Sequence, residues 1–303
     1  MRNRAALAVI FSLLSCRGPG APPVTTPLPA DANAAASTDV YLYHFGRHGV
    51  FNITNRVGYD NQPGWDGNSR IMYTRQYRGQ TDIAAIDFET ASHGEIVRTP
   101  ESEYSPAPSP DGKAITVVRV ERDSTQRLWR FPKDQGEPSL VLRDIKPVGY
   151  FAWLDSTTLA LFVLGTPNTL QIADTRTGAG RVVTTNIGRS LQRVPRSRRA
   201  SYLHRVGTKW MLETVDPTPL PGGGFDIDTL GAMPDSADFV VWRSATELYT
   251  AAGSRILRMR LPEKTWTLVD DLGDLGIRRI SRLALSPDGR RLAFVADDST
   301  GLR

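Results

Sequence analysis

The sequence has very little of the material from which disulfide frameworks and metal clusters are built. Its 303 residues include one cysteine, Cys16, and four histidines. A single cysteine excludes an intramolecular disulfide, and so few histidines leave little for a metal cluster. We therefore expect a fold held together by its hydrophobic core, with no metal and no cofactor.

Long hydrophobic runs are also missing, with one short exception at the N-terminus. The basic MRNR is followed by AALAVIFSLL, an apolar run of ten residues. A bilayer span takes about 20 residues, so this run is too short to be one. A basic start followed by a short apolar run is typical of a signal peptide. We expect an exported protein whose remaining chain is soluble.

The apolar run ends in LLSC, which resembles the lipoprotein box of bacterial lipoproteins. Leu13 lies three places before Cys16, and the small Ser15 directly precedes it. The resemblance implies a signal peptide over residues 1–15 and a lipid on Cys16, which would anchor the protein to a membrane facing the periplasm or the cell exterior. Arg17 after the cysteine, where Asp would retain an enterobacterial lipoprotein, favours the outer membrane. An ordinary secretory leader with an incidental cysteine is the alternative.

The segment after the cysteine is poor in large apolar side chains. Residues 16–37 are rich in Pro, Ala, Gly and Thr, a composition that cannot bury enough surface to fold. We predict a flexible tether here and a folded body over residues 38–303.

The sequence also lacks a large excess of positive charge. The formal net charge is +5, and it falls to +3 if Arg2 and Arg4 leave with the leader. A charge this small and dispersed does not indicate a nucleic-acid partner.

What the sequence does contain is a repeated phrase. SPDGKAITVV begins at Ser109 and SPDGRRLAFV begins at Ser286. Ser-Pro-Asp-Gly is turn chemistry, because Pro presets the backbone, Asp bonds back to the main chain and Gly accepts a positive φ. An alternating β-branched run follows each copy. Each phrase therefore predicts the middle of a β-hairpin.

Worn copies of the phrase recur at 42 to 46 residues along the chain. The anchors are Gly67, Gly112, Ser156, Arg198, Ser244 and Gly289. Four short strands in about 44 residues, without helical periodicity, predict a β-propeller blade. The sixth unit stops after its first two strands, and DVYLYHFGRHGVFNIT at residues 39–54 supplies the missing half. We predict an all-β, six-bladed propeller with four antiparallel strands per blade, whose last blade is closed by strands from both termini.

These motifs resemble the propeller of the TolB family. The resemblance rests on the SPDG hairpins, on GYDNQPGWDGNSRIMY and on DVYLYHF, and it extends over about residues 38 to 303. It implies a six-bladed propeller whose channel mouth receives protein partners. TolB itself carries a further N-terminal α/β domain, for which this sequence has no room.

Several other motifs resemble metal-binding or catalytic sites, but their context favours a structural role. His44 and His48 straddle a predicted turn, so their spacing of four does not indicate a metal site. Asp270, Asp271 and Asp274 lack the ligand pattern of a calcium loop. RSRR at residues 196–199 falls where other blades have a hairpin tip. No G-x-S-x-G elbow occurs, so we do not expect an appended hydrolase. Five aromatic residues in strands are interpreted as packing between blades: Trp129, Phe131, Trp153, Trp242 and Trp266.

One constellation has the character of a binding site. Tyr59, Tyr104 and Tyr150 are predicted to lie in the loop before the first strand of three successive blades, and in propellers this loop opens onto one rim of the channel. Aromatic rings beside mixed charges suit recognition of a peptide or a sugar. The predicted rim comprises Tyr59, Asp60, Glu103, Tyr104, Tyr150, Asp238 and Arg278, with Glu101, Lys146 and Arg189 as neighbours.

Two hypotheses of function follow. The first is a non-catalytic, lipid-anchored envelope propeller that binds an envelope protein or a peptidoglycan-associated partner at this rim, as a monomer. The second is a polysaccharide-acting enzyme or a lectin that uses the central channel. Nothing in the spacing of the rim carboxylates selects an acid–base pair, so enzymatic activity is the less favoured of the two. A purely structural role in an envelope assembly is a third hypothesis.

Overall fold

Six four-stranded antiparallel sheets are arranged around a central axis in the computed structural model, which describes residues 37–297. This confirms the predicted six-bladed β-propeller. Within the described range no helix is long and apolar enough to cross a membrane. Cys16, the signal peptide and most of the predicted tether lie outside the described residues.

The strands are short and follow one another as antiparallel hairpins. They are β1 (Thr38–His44), β2 (Val50–Asn52), β3 (Asp60–Asp66), β4 (Arg70–Tyr77), β5 (Gln80–Asp87), β6 (Ser92–Val97), β7 (Ser102–Pro108), β8 (Ala114–Val120), β9 (Gln126–Pro132), β10 (Ser139–Leu140), β11 (Val148–Trp153), β12 (Thr158–Val163), β13 (Thr169–Asp174), β14 (Gly180–Thr185), β15 (Ile187–Arg193), β16 (Ala200–Val206), β17 (Lys209–Pro219), β18 (Phe225–Ala232), β19 (Val240–Ser244), β20 (Glu247–Ala252), β21 (Arg255–Arg260), β22 (Thr265–Asp271), β23 (Ile280–Leu285) and β24 (Arg291–Asp297). Blades one to five are consecutive sets of four strands from β3 to β22, and β3, β7, β11, β15, β19 and β23 are the inner strands.

Blade six is built from both ends of the described chain. Its strand order is β2-β1-β24-β23, and β1 pairs with β24 over seven positions from Thr38↔Asp297 to His44↔Arg291. The predicted closure is therefore confirmed. It removes the open edge that an unfinished blade would expose.

The two SPDG phrases form the same turn. In one copy the amide of Gly112 donates to the carbonyl of Ser109, and Gly112 has a φ of 69°. In the other copy the amide of Gly289 donates to the carbonyl of Ser286, and Gly289 has a φ of 68°. The Asp of each copy accepts from the serine hydroxyl and from a backbone amide two residues on. The hairpin prediction is confirmed in both copies.

The core lies between the blades. Six hydrophobic clusters each combine buried residues from two neighbouring blades, and the five strand aromatics predicted to pack between blades all belong to these clusters or pack against them. Three tryptophans of the inner strands also donate a hydrogen bond to the preceding blade: Trp65 to the carbonyl of Ala284, Trp153 to the hydroxyl of Thr116, and Trp242 to the hydroxyl of Ser201. They lie 88 and 89 residues apart, which is two blade periods, so every second blade is fixed in this way.

Blade six also contacts blade five through His48 and two aspartates that lie more than 220 residues away in sequence. The ring nitrogens of His48, in the β1–β2 turn, lie 2.9 Å from Asp270 Oδ1 and 3.1 Å from Asp274 Oδ2. These hydrogen bonds, that of Asp270 first, raise the pKa of His48 above its usual value. The β1–β2 turn and the end of β22 with the residues after it thus form a polar contact between blades five and six.

The two equivalent turn glycines allow a matched test of the packing around blade six. An added Cβ at Gly112 would meet nothing within 4 Å, whereas one at Gly289 would lie 2.9 Å from Cγ of Arg243. Because both φ values are positive, we expect either alanine substitution to lower the free energy of unfolding by about 1–2 kcal/mol. Gly289→Ala must in addition displace Arg243, which bonds to Tyr249. In urea unfolding, Gly289→Ala should therefore be less stable than Gly112→Ala, and equal losses would contradict this account.

Candidate functional site at the channel mouth

A cavity of about 970 Å³ opens at the end of the channel where the inner strands begin. Residues of all six blades line it, and Tyr59, Tyr104 and Tyr150 lie on its wall. Tyr59 lies in the loop directly before β3, as predicted, whereas Tyr104 and Tyr150 lie within the inner strands β7 and β11. The three side chains that the sequence placed at one rim are therefore brought together.

Bulges in the inner strands shape this wall. Gln62, Ser105 and Arg282 have positive φ values of 53°, 54° and 48°, and each lies at a register shift between its inner strand and the next strand. A bulge inserts one extra residue and re-aims the side chains beside it. Gln62 and Arg282 consequently line the cavity, although neither fits a strict alternation of the strand.

Arg282 is held in place by aromatic side chains. Its guanidinium donates to the hydroxyl of Tyr150 at 2.7 Å. The same guanidinium lies 5.0 Å from the ring centre of Tyr150 and 4.4 Å from that of Phe239, both within cation–π range. Phe239 also lines the cavity. These contacts join blades three, five and six across the channel.

Tyr59 is a half-buried side chain of this wall. Burial raises its pKa to about 12, and the nearby Tyr150 and Tyr104 act in the same direction, while Arg282 and Arg189 oppose them. The phenol is therefore neutral at physiological pH. A neutral phenol can both donate and accept a hydrogen bond, which suits a binding surface.

The charge of the wall is predominantly positive. Three arginines line the cavity, namely Arg189, Arg279 and Arg282, whereas Asp238 is the only carboxylate among the described lining residues. Arg189 and Asp238 had been placed at this rim by their spacing. The mouth is suited to holding an anionic group against aromatic rings.

Two of the predicted rim carboxylates lie elsewhere. Asp60 and Glu103 are each fully buried between blades and do not line the cavity. Asp60 Oδ1 accepts from Arg56 Nε and Nη2 at 3.1 and 2.5 Å. Glu103 Oε1 accepts from the hydroxyl of Thr99 at 2.5 Å. Their neighbours in sequence, Tyr59 and Tyr104, face the channel because successive side chains of a strand point to opposite sides.

Arg278 is likewise absent from the wall. It is exposed, and its neighbour Arg279 lines the cavity instead. The sequence analysis also missed Arg282, Phe239 and Trp210, which line the same cavity. The repeat of about 44 residues locates the loops and strands in which these residues lie. It does not reveal a bulge, which shifts by one residue the position that faces the channel.

A second cavity of about 410 Å³ continues the channel toward its other end. Trp65, Trp153 and Trp242 line it, together with prolines and aliphatic residues of the inner strands. The two cavities share five lining residues: Gln62, Tyr150, Arg189, Phe239 and Arg282. Both cavities therefore combine polar and apolar side chains, and Gln192 and Arg193 line the lower one beside the tryptophans.

Acidic side chains are scarce on the described part of the channel wall. Among residues 37–297, no group of three or more His, Cys, Asp or Glu side chains is placed to hold a metal ion. General acid–base catalysis on a glycosidic bond ordinarily takes two carboxyl groups across the reacting bond, and the upper cavity has Asp238 alone within the described part of the chain.

Comparison with known proteins places the fold in a class. No family model and no curated protein matches the sequence. Solved structures do match. A protein described as TolB from Agrobacterium tumefaciens has a TM-score of 0.66 and 12% identity, over 87% of this chain and 99% of that one. An oligogalacturonate lyase in complex with manganese has a TM-score of 0.57 and 12% identity, over 91% and 98%. A nidogen/laminin complex has a TM-score of 0.56 and 11% identity, over 86% and 98%.

These likenesses, together with the blade count, define a six-bladed propeller of the TolB type. At these identities they show the fold, which is shared by proteins of different activity. Function in this fold therefore depends on the side chains that line the channel.

The buried carboxyl groups next to the tyrosines allow a test by pH. Burial raises the pKa of Glu103 to about 7, against the hydrogen bond from Thr99 and the charge of Arg119. The folded state therefore holds a proton that the unfolded state releases near pH 4.5. The stability of the wild type relative to Glu103→Gln should fall by up to about 1.4 kcal/mol per pH unit between pH 4.5 and 7.

Glu101 provides the matched control with the opposite sign. Its hydrogen bond from Arg119 lowers its pKa, so the advantage of the wild type over Glu101→Gln should be lost as the pH falls below 4.5. Urea titrations from pH 3.5 to about pH 8 would measure both differences. A flat profile for Glu103→Gln would mean that burial does not raise the pKa of Glu103 above its value in the unfolded chain.

Proposed function

We propose that this protein is an exported, lipid-anchored propeller of the cell envelope that binds a protein or an envelope polymer at its channel mouth, without catalysis. The observation that carries the proposal is the convergence of Tyr59, Tyr104 and Tyr150 on one cavity wall beside three arginines. The leader and the lipoprotein box support export and anchoring to a membrane facing the periplasm or the cell exterior, with the outer membrane favoured.

The wall is built for recognition by a rigid surface. Tyrosine rings offer a large contact area at low entropic cost, and their hydroxyls orient a ligand. The tyrosines and Arg282 lie in or beside inner strands. Each of these strands is hydrogen-bonded along one edge to the next strand of its blade. These side chains are therefore already ordered before a partner arrives, so binding costs little further conformational entropy.

A polysaccharide-acting enzyme or a lectin is the second candidate. The likeness to oligogalacturonate lyase favours it at the level of the fold. The lone carboxylate Asp238 among the described lining residues of the upper cavity argues against acid–base catalysis on a sugar and leaves the lectin as the stronger form of this candidate.

The role of the tyrosines can be tested in intact cells. We expect the triple variant Tyr59→Ala/Tyr104→Ala/Tyr150→Ala to capture at least about tenfold less crosslinked partner than the wild type, because interface aromatics carry most of the binding energy. Tyr77→Ala is the matched control, since this tyrosine is partly buried, stacks with Arg75 and Arg78, and lies outside the cavity.

Folding of the variants is verified by thermal unfolding, and a Tyr→Phe triple variant separates packing from hydroxyl contacts. Unchanged capture by a folded triple variant would contradict docking at the mouth. Capture of a glycan polymer in place of a protein, lost in the same variant, would favour the lectin.

Anchoring can be tested separately through Cys16. The wild type should partition into the membrane and detergent phases, since acyl chains drive membrane association, and Cys16→Ser should lose the lipid. Ser12→Ala, which keeps the cysteine, should behave as the wild type. The substitution removes no disulfide because Cys16 is the only cysteine. A wild-type protein that is recovered in the aqueous phase would refute the anchor and leave the binding proposal intact.

A further inference from the structure

A second group of arginines lies outside the channel, at the edge of blade one. Arg75, Arg78 and Arg98 line a cavity of about 430 Å³ together with Tyr77. The cavity lies where β4 and β6 end and β5 begins. It shares no lining residue with the two channel cavities, so it is a separate feature of the surface.

The ring of Tyr77 holds two of these guanidinium groups in place. That of Arg75 lies 4.7 Å from the ring centre and that of Arg78 lies 5.1 Å from it, both within cation–π range. Within residues 37–297, Arg78 forms no ion pair and no side-chain hydrogen bond. Stacking thus fixes a positive charge that no acidic side chain of the described chain neutralises.

Two acidic side chains line the same cavity, but they do not balance the three arginines. Glu95 lies between Arg75 and Arg98, at 2.5 Å from the first and 3.5 Å from the second. Asp82 is buried and accepts from Gln80, and its pKa is raised by burial and by the charge of Glu95. The cavity keeps a net positive charge whether or not Asp82 is ionised, and this favours an anionic ligand.

The cavity lies beside the place where the described chain begins. The hydroxyl of Ser37 bonds to the backbone of Gly58. The carbonyl of the next residue, Tyr59, accepts from the amide of Gln76, which directly precedes Tyr77. Two hydrogen bonds therefore connect the start of the described chain to the strand that carries the cavity.

The predicted lipid anchor would bring this cavity close to a membrane surface. Cys16 precedes Ser37 by 21 residues, and a flexible chain of this length has a mean end-to-end distance of about 25 Å. Phospholipid headgroups lie within such a reach. Each carries a phosphate diester whose oxygens accept charge-assisted hydrogen bonds from guanidinium groups. Basic pockets near a membrane surface bind anionic headgroups in this way.

We propose that the cavity at the edge of blade one binds the phosphate of an anionic phospholipid headgroup through Arg78 and Arg98. This inference rests on the anchoring that the proposed function includes, and it adds a second contact with the membrane. Two contacts would fix the orientation of the propeller, with this edge against the lipid. Because the acyl chains hold the protein at the membrane in either case, Tyr77→Ala remains a control for capture at the mouth.

Flotation with lipid vesicles tests the site in the Cys16→Ser background, which lacks the acyl chains. Vesicles of phosphatidylcholine that contain phosphatidylglycerol are compared with vesicles of phosphatidylcholine alone, whose choline neutralises the phosphate. The protein should partition at least about fivefold more strongly to the anionic vesicles, and added salt should narrow the difference. Any contribution of the leader is common to all variants and is measured on phosphatidylcholine alone.

Two equally exposed arginines supply the matched control. The side chains of Arg98 and Arg122 are 76% and 79% exposed and each pairs with a glutamate, but Arg122 lies outside the cavity. Arg98→Gln should weaken binding to the anionic vesicles about fivefold, whereas Arg122→Gln should stay within about twofold of the parent. Arg78→Gln should have a larger effect than Arg98→Gln, because Arg78 has no acidic partner. If Arg78→Gln unfolds, Arg98→Gln keeps the test valid.

Every other result counts against the inference. Equal binding to the two kinds of vesicle would overturn it, and so would equal losses with Arg98→Gln and Arg122→Gln, which indicate attraction by net charge alone. Displacement from the vesicles by millimolar inorganic phosphate at constant ionic strength would replace the headgroup by free phosphate.

The outcome is distinguishable from that of the proposed function. A wild-type protein in the aqueous phase refutes the anchor, yet the Cys16→Ser protein can still show the headgroup site on vesicles. Conversely, an anchored protein that captures its partner but binds both kinds of vesicle alike keeps the proposed function and loses only the headgroup site.

Discussion

The pairing of β1 with β24 is the interaction on which the rest of the structure depends. Seven positions at one end of the described chain pair with seven at the other, so blade six exists only when both ends are in place. A polar cluster secures the join to blade one: Asp39 accepts from Thr54 and from the amide of Arg56, and the guanidinium of Arg56 pairs with Asp60. A buried ion pair is tolerated when its hydrogen bonds are well made, and removing one partner of such a pair costs roughly 3–5 kcal/mol.

Closure also creates the channel, because six inner strands become neighbours around one axis. Residues that are far apart in sequence then share one wall, and Arg282 stacks on Tyr150 and Phe239 from three different blades. The interblade clusters and the three tryptophan hydrogen bonds hold the blades at fixed angles. The same tryptophans line the lower cavity. Because their N–H groups donate to neighbouring blades, their rings offer the channel apolar contact.

The ring is shared with proteins of different activity, and the wall distinguishes this one. A TolB structure, a nidogen/laminin complex and an oligogalacturonate lyase have the same general fold at 11–12% identity. In this chain the mouth combines aromatic rings with guanidinium groups, and tryptophans, prolines and further arginines line the cavity below it. This lining is a property of individual side chains, which the blade architecture does not dictate.

Local sequence preferences were sufficient to predict the fold, whereas the lining of the site depends on packing between residues far apart in sequence. The turn preferences of Ser109–Gly112 and the period of about 44 residues determine the blades, since a turn and a strand depend on neighbours in sequence. The same period placed Tyr59, Tyr104 and Tyr150 at one mouth. It could not show that Asp60 and Glu103 turn inward to buried partners, or that a bulge brings Arg282 to the wall beside Arg279. A one-residue bulge reverses which side chain faces the channel, and only the packed neighbouring blades fix where it forms.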